Sequence, residues 1–389
     1  MICEYTHERI NLQTYKFIII SMKPIIKWVG GKTQILEEVF EKFPNIINNY
    51  HEIFLGGGSV LFELLDRIRD NKITLNGNIY CYDKNRVLIG MFNNIKNNHK
   101  DLYKEIGLLL NTYSNIDDGE PLNRKAIKSL KTLEELKKEI GRRGLSLSDA
   151  QITGSTTMRN LLIEESDAAL AVISAKKKRR SARLKAASSF ENAIKSKESY
   201  YYWIRKKYNE IGDENLDSVE CSAMFIFLNK TCFRGVYRVG PNGFNVPFGN
   251  YKKLNSIISF EELENMSNMI EKVNFNVSDF AEIIPDKIGI GDFVYLDPPY
   301  VPINNTSFVN YQSGGFNESQ HDSLFRKCHE LKNRHIMFLM SNSDTKKVRD
   351  SFLVSDDYEI DIIKCRRAIN SKKPDSVENE VLILQRLTF

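Results

Sequence analysis

Asp297-Pro298-Pro299-Tyr300 follows directly on the apolar run Phe293-Val294-Tyr295-Leu296. An exocyclic amino group on a nucleobase is a poor nucleophile, because its lone pair is delocalised into the ring. A carboxylate and a backbone carbonyl that accept its two N–H bonds favour the tetrahedral nitrogen needed for attack, and Asp297 and the Pro298 carbonyl fit those roles. Two consecutive prolines fix φ and remove competing donors, which holds that carbonyl toward a pocket. Tyr300 offers a flat face on which a base can stack. A Pro-Pro turn after a strand is common by itself; the Asp before it and the Tyr behind it set this one apart. An Asn in the first position would have pointed to an amide substrate.

Three further groups could serve a cofactor. Gly56-Gly57-Gly58-Ser59 ends the short run Glu52-Ile53-Phe54-Leu55; it is either a tight strand-to-helix turn or a place where backbone N–H groups at a helix start meet a carboxylate. Asp83 lies at the end of the next run, 25 residues beyond Gly58, where a carboxylate holds ribose hydroxyls in dinucleotide-type folds. The GxGxxG spacing and a second nucleotide half are missing, so a one-nucleoside cofactor fits better than NAD. Lys27-Trp28-Val29-Gly30-Gly31-Lys32 is a positive, flexible turn that could add a cation (Lys32) and an indole (Trp28). The six histidines, His7, His51, His99, His321, His329 and His335, show no metal-binding spacing and read as surface or packing residues, so no metal site is expected.

The elements that would position these groups read as successive βα units. After the run at 52–55 comes helical spacing from Val60 to Arg69; Ile79-Tyr80-Cys81-Tyr82 stops at Asp83, and Arg86 to Lys96 is helical again. Downstream apolar runs at 273–277, 293–296 and 336–340 each end in a polar cluster, the last being Ser341-Asn342-Ser343. Near-continuous apolar strands mark a sheet buried on both faces, with ligands at the strands' carboxyl ends. A helix from Glu318 to Lys332, capped by Asn317, separates two of them, and 359–363 and 381–384 read as terminal strands. The fold expected is α/β: a doubly wound, mostly parallel sheet with a mainly helical segment inserted.

The divisions are a tail at 1–21 before Met22, a first catalytic part at 22–112, a basic segment at 113–198, an aromatic-rich segment at 199–268 and a second catalytic part at 269–389. With 389 residues, 42% hydrophobic and 27% charged, the chain suits a multi-domain globular protein. No apolar run approaches a bilayer span, which excludes a membrane protein. Six scattered cysteines without a CxxC pair fit reduced thiols inside a cell, not a secreted disulfide frame or a zinc ribbon. The net charge of +5 is uneven: residues 121–210 hold 21 Lys+Arg against 10 Asp+Glu, leaving 34 against 40 elsewhere. Such a patch fits a polyanionic partner, or else a solvated helical face or disordered insert.

Taken together, KWVGGK at 27–32, EIFLGGGS at 52–59, YDKN at 82–85, LNKTCFRGVYRVGPNGFNVPFGNY at 228–251, SDF at 278–280 and DPPY at 297–300 resemble the Dam-type, D12 class of DNA adenine-N6 methyltransferases, in the order of that family's α group. The likeness covers 22–112 and 199–389. It implies a Rossmann-like fold, S-adenosylmethionine as methyl donor and double-stranded DNA as substrate. Trp28, Lys32, Phe54, Gly56, Gly58, Asp83, Asp279, Phe280 and Asp297 would line the cofactor pocket; Asp297, Pro298 and Tyr300 would hold an adenine flipped from the duplex. Ile53 departs from the Pro often found before the Phe.

The likeness also implies a hairpin from Lys230 to Tyr251 that enters the major groove. Arg234 and Arg238 are its candidates for guanine contacts, with Tyr237 and Pro247 as apolar or stacking partners and Lys27 reaching an outer base; Arg234 could equally serve phosphate only. GATC is the site the likeness suggests, though relatives with similar hairpins read others. A monomer inside the cell, with a cognate restriction endonuclease as a partner it allows, completes the expectation. An RNA or cytosine-N4 methyltransferase, or an inert DNA-binding relative, are the alternatives. The basic insert at about 117–195 is the main departure; residues 129–146 with 157–165 look like a SAP-type DNA-binding module, or else a plain charged helical pair or a disordered insert.

Overall fold

The computed structural model describes residues 22–116, 187–249, 257–303, 316–353, 357–366 and 377–385. The tail at 1–21 and the SAP-like portion of the insert lie outside the described residues.

Seven strands form the central sheet: β1 (Tyr50–Ile53), β2 (Ile79–Asp83), β3 (Val273–Val277), β4 (Phe293–Leu296), β5 (Met337–Ser343), β6 (Tyr358–Arg366) and β7 (Val377–Gln385). Their order is β6-β7-β5-β4-β1-β2-β3. Neighbours from β3 across to β5 pair in parallel, whereas β7 runs antiparallel to both β5 and β6. The order reverses between β1 and β4, and in an open α/β sheet the crevice at that switch point is where ligands bind.

Strand β4 shows why the sheet is covered twice. Its four residues are all buried; Phe293 and Tyr295 join the apolar cluster on one face, and Val294 and Leu296 the cluster on the other. A period of two sends neighbours to opposite faces, so a continuous apolar run needs helices on both. The first face is covered by α1 (Ser59–Arg69), α2 (Arg86–Asn97) and α3 (His99–Ser114), the second by α7 (Phe280–Asp286), α8 (Glu318–Asn333) and α9 (Lys346–Phe352). Asn317 and Gln320 form the capping box that starts α8.

Between α3 and β3 the chain forms α4 (Lys197–Asn209), α5 (Val219–Thr231) and α6 (Phe260–Met269). Helix α5 is buried almost all round, as a helix apolar on every side must be. It crosses α2 closely: a Cβ on Gly90 would lie 2.8 Å from the Asp217 Cα, and Asn94 Nδ2 donates to the Asp217 carbonyl and to Ser222 Oγ. The expected boundary at 112/113 falls inside α3 and that at 198/199 inside α4.

Two strand ends differ from the sequence expectation. Strand β1 stops at Ile53, not Leu55, because Phe54 takes a left-handed φ of 72° that no strand continues through. Strand β5 extends through Ser341-Asn342-Ser343, because β7 pairs with it as far as Ser343. Within the expected hairpin at 230–251, Lys230 and Thr231 end α5, Phe233–Gly235 make one tight turn, Val239–Gly240 pair with Gly243–Phe244, and a single antiparallel bridge joins Cys232 to Phe248; residues 250 and 251 lie outside the described residues. No helix among the described residues is long and apolar enough to cross a membrane.

Candidate active site

Asp297 stands where β4 ends, its amide donating to the Ile53 carbonyl at the end of β1 (3.5 Å). Lys32 reaches this corner from the 27–32 loop. Its Nζ donates to Asp297 Oδ2 (2.6 Å) and to the Gly30 carbonyl (2.7 Å), and lies 5.1 Å from the centre of the Tyr300 ring. Its amide donates to Ser59 Oγ (3.1 Å) at the start of α1. Only 4% of Lys32 is exposed, so solvent screens its charge little.

Burial pushes the Asp297 carboxyl above the usual range, and the Lys32 ammonium opposes that. Glu52 on β1 is buried and accepts a hydrogen bond from the Tyr50 hydroxyl (2.9 Å). Burial lifts its pKa to about 8, with the Asp297 charge adding to the effect. At neutral pH, therefore, Glu52 keeps its proton and the single ammonium is left to Asp297.

The rest of the Pro-Pro-Tyr segment is held from the far side of the sheet. The Tyr300 hydroxyl donates to Glu380 Oε2 on β7 (2.9 Å). The Val301 amide donates to Asn342 Oδ1 (3.1 Å), and its carbonyl accepts from Ser343 Oγ (2.5 Å). Asn342 and Ser343 are fully buried on β5, so the peptide after Tyr300 is pinned on both sides by a rigid strand.

The neighbouring edge, from β1 to β3, carries the expected cofactor residues. Asp83 Oδ2 accepts from the Gly56 amide (3.1 Å) and Oδ1 from the Asn85 amide (2.8 Å). Burial raises the Asp83 carboxyl and these backbone bonds draw it back. Gly56 and Gly58 have φ of 54° and 76°, and a Cβ on Gly56 would lie 2.8 Å from the Trp28 indole. Asp279 caps α7 through the Ala281 amide (3.1 Å) and pairs with Lys84 (3.3 Å). Phe54, Phe280 and Phe316 form an aromatic triangle with ring centres 5.8–6.0 Å apart. Beside it an open cavity of about 580 Å³ is lined by Lys84, Ser278, Asp279, Phe280 and Gln320 among others.

Lys27 on the 27–32 loop and Arg234 on the recognition segment are exposed, and Arg238 and Pro247 are half-buried. Arg234 has a left-handed φ of 60° and lies over the Phe233 ring (5.3 Å). Arg238 Nε donates to Asn245 Oδ1 across the hairpin (2.6 Å). Tyr237 turns inward: it is 9% exposed and stacks on Trp28 with ring centres 5.2 Å apart. Burial lowers the Lys230 ammonium, and the charge of Lys27 beside it lowers it further.

Sequence reasoning named Asp297, Lys32, Asp83 and the glycines but not Glu52, Asn229, Phe316, Glu380 or the anchoring role of Asn342 and Ser343. A charged residue inside the apolar run at 52–55 was the signal for Glu52, and the polar cluster after 336–340 was the signal for Asn342 and Ser343; Glu380 left none. His51 is buried against Asp292 (3.3 Å) and His321 is buried beside Phe316. Among the described residues no group of His, Cys, Asp and Glu could hold a metal ion.

A seven-stranded sheet with one reversed strand, a glycine turn after β1, an acidic residue after β2 and Asp-Pro-Pro-Tyr after β4 define a Rossmann-like methyltransferase. Residues 28–134 and 166–369 match the D12 class N6 adenine-specific DNA methyltransferase family, and the chain belongs to it. Among its relatives, the type II methyltransferase M.MjaIII of Methanocaldococcus jannaschii is 29% identical over 331 residues, 83% of this chain and 85% of that protein. The type II methyltransferase M1.LlaDCHI of Lactococcus lactis subsp. cremoris is 23% identical over 91% of both chains. The DNA adenine methylase of Escherichia coli is 32% identical over 44% of this chain and 59% of its own length. Family membership implies a DNA substrate and S-adenosylmethionine as methyl donor.

Proposed function

We propose that the chain methylates N6 of an adenine swung out of duplex DNA, with Asp297, Pro298 and Tyr300 holding the base and the β1–β3 edge holding S-adenosylmethionine. The observation that carries this reading is Asp297 at the switch point, 2.6 Å from Lys32 and one strand from the glycine turn. The donor set fits the cofactor: Asp83 suits ribose hydroxyls, Phe54, Phe280 and Phe316 beside Asp279 suit an adenine ring, and the Gly56 and Gly58 cradle, which a Cβ would fill, leaves backbone for the amino-acid end. Trp28 backs that cradle, and the Lys32 ammonium beside it is engaged by Asp297. When bound, the cofactor would supply a methyl group already activated by a sulfonium.

The chain's own residues position and hydrogen-bond. Asp297 accepts one N6–H and the Pro298 carbonyl the other, while the Tyr300 ring stacks on the base. When N6 gains its methyl it must lose a proton, and Asp297, its carboxyl held above the ordinary range, is placed to take it. Arg234 and Arg238, with Lys27 and Pro247, are the proposed DNA contacts; Tyr237 serves them by holding Trp28. Relatives named type II methyltransferases support a cognate restriction endonuclease as partner, and GATC is the first sequence to try.

The test is Asp297→Ala. Wild-type protein should yield N6-methyladenine when treated DNA is digested to nucleosides and analysed by mass, and the variant should bind the same DNA without modifying it. Undiminished turnover by the variant would refute the role of Asp297; N4-methylcytosine in the digest would redirect the substrate, and modification-sensitive sequencing would report the site.

A further inference from the structure

Asn229, third from the end of α5, lies outside the catalytic corner, is 2% exposed and commits its whole side chain to two loops. Its Oδ1 accepts from the Lys27 amide (2.9 Å), and its Nδ2 donates to the carbonyls of Lys27 (2.8 Å) and Gly235 (3.2 Å). One amide thus binds both polar atoms of the Lys27 backbone, as a neighbouring strand would, and ties them to the turn that carries Arg234.

Packing reinforces the tie. A Cβ on Gly235 would lie 2.7 Å from Lys27 Cδ and 2.9 Å from Lys27 Cβ, so the two segments touch without slack. Trp28 then stacks on Tyr237 and presses on the glycine turn, where Cβ atoms on Gly56 and Gly57 would meet it at 2.8 and 2.9 Å. Four residues further on, Lys32 ends on Asp297. The 27–32 loop is therefore clamped at one end by the recognition segment and at the other by the residue that accepts the target amine.

We propose that Asn229 is a positioning residue that couples the seating of the recognition segment on DNA to the contact between Lys32 and Asp297. The proposal rests on the reading that the Arg234 and Arg238 side faces DNA. A displacement of Arg234-Gly235 by the duplex carries Lys27 and Trp28 with it, because Asn229 holds the two backbones together, and the loop transmits it to Lys32. An Asp at this position keeps the acceptor for the Lys27 amide but sets a carboxylate oxygen against two carbonyls, so it cuts the tie with almost no change in volume.

The test compares full-length wild type with Asn229→Asp and with Gly235→Ala, which disturbs the same contact from the other side. The readouts are cofactor affinity by calorimetry, affinity for a duplex free of N6-methyladenine by fluorescence anisotropy, and the single-turnover methylation rate with both saturating. Both variants should bind cofactor and DNA within about threefold of wild type while methylating about 10- to 100-fold more slowly. A folded variant methylating within about twofold of wild type overturns the proposal. Loss of both affinities in step with the rate, or failure of both variants to fold, also overturns it, because the residue is then only structural. Wild type that methylates no adenine would instead strike the functional reading on which the proposal stands.

Discussion

Replacing Lys32 with Met keeps most of the side chain's length and removes its charge. That charge lies 2.6 Å from Asp297 Oδ2, with the lysine side chain 4% and the carboxylate 20% exposed. Two unit charges about 4 Å apart attract by about 4 kcal/mol at an effective dielectric of about 20, a ceiling here because solvent reaches one side of Asp297. An opposite charge this near lowers a carboxyl pKa by about 1 to 3 units. Burial already holds Asp297 above its ordinary value, with Lys32 opposing. Without the ammonium the pKa rises further, and the ionised acceptor is lost at a higher pH as the solution is acidified. The acidic limb of kcat in Lys32→Met should therefore move up by about 1 to 2 pH units, with activity partly regained in alkali. The assay is methyl transfer from radiolabelled cofactor to DNA, both saturating, so that any loss of cofactor affinity does not enter. A limb that stays in place or moves down would show that Lys32 is not what keeps Asp297 charged.

Glu52→Gln tests the buried proton. A folded-state pKa raised from 4.5 to about 8 means that the carboxyl costs the folded state nothing below the lower value and progressively more as pH rises toward the higher one, with a ceiling of about 5 kcal/mol; the Tm of the Gln variant should gain on wild type from about pH 5 to about pH 8 and level off above that. Glu380→Ala removes the acceptor of the Tyr300 hydroxyl, a bond worth about 1 to 2 kcal/mol, so methylation should fall about 5- to 30-fold, with Glu380→Gln restoring most of it. Gly58→Ala places a Cβ at φ 76° and 3.1 Å from the Phe92 ring, and calorimetric melting should show a loss of about 1 to 2 kcal/mol. Deleting residues 117–186, which include most of the basic stretch, should flatten the salt dependence of DNA binding by about 0.9 in log-log slope for each phosphate that the insert neutralises; an unchanged slope would mean that the insert does not touch DNA.

Much of the sheet was legible because its strands are short apolar runs closed by polar residues, and periodicity alone separates these from the amphipathic helices between them. The failures have local causes. Leu55 is apolar and looks like strand, but the φ of Phe54 turns the chain one residue earlier, and nothing in an aromatic side chain announces a positive φ. Ser341-Asn342-Ser343 has the composition of a loop, yet β7 pairs with it and its side chains take up the Val301 peptide; only the tertiary partner makes it strand. The Asp-Pro-Pro-Tyr corner was read from residue types, since a Pro-Pro pair between Asp and Tyr has few other uses. Its supports were not: Glu380 lies 80 residues from Tyr300 and Asn229 lies 202 from Lys27, and no spacing rule spans such separations. Lys32 was assigned to a cofactor carboxylate because it is a cation near a glycine turn; the structure places it on Asp297, a contact that appears only once the two loops share a sheet edge.

The reversed direction of β7 has a practical outcome for anyone wishing to steer this activity to a chosen locus. Glu380, near the start of that strand, lies level with Ser343 at the working rim, whereas Leu384 is level with Leu339. A programmable targeting module grafted after Gln385 would thus leave from the rim opposite Asp297, with the length of the strands between the graft and that carboxylate.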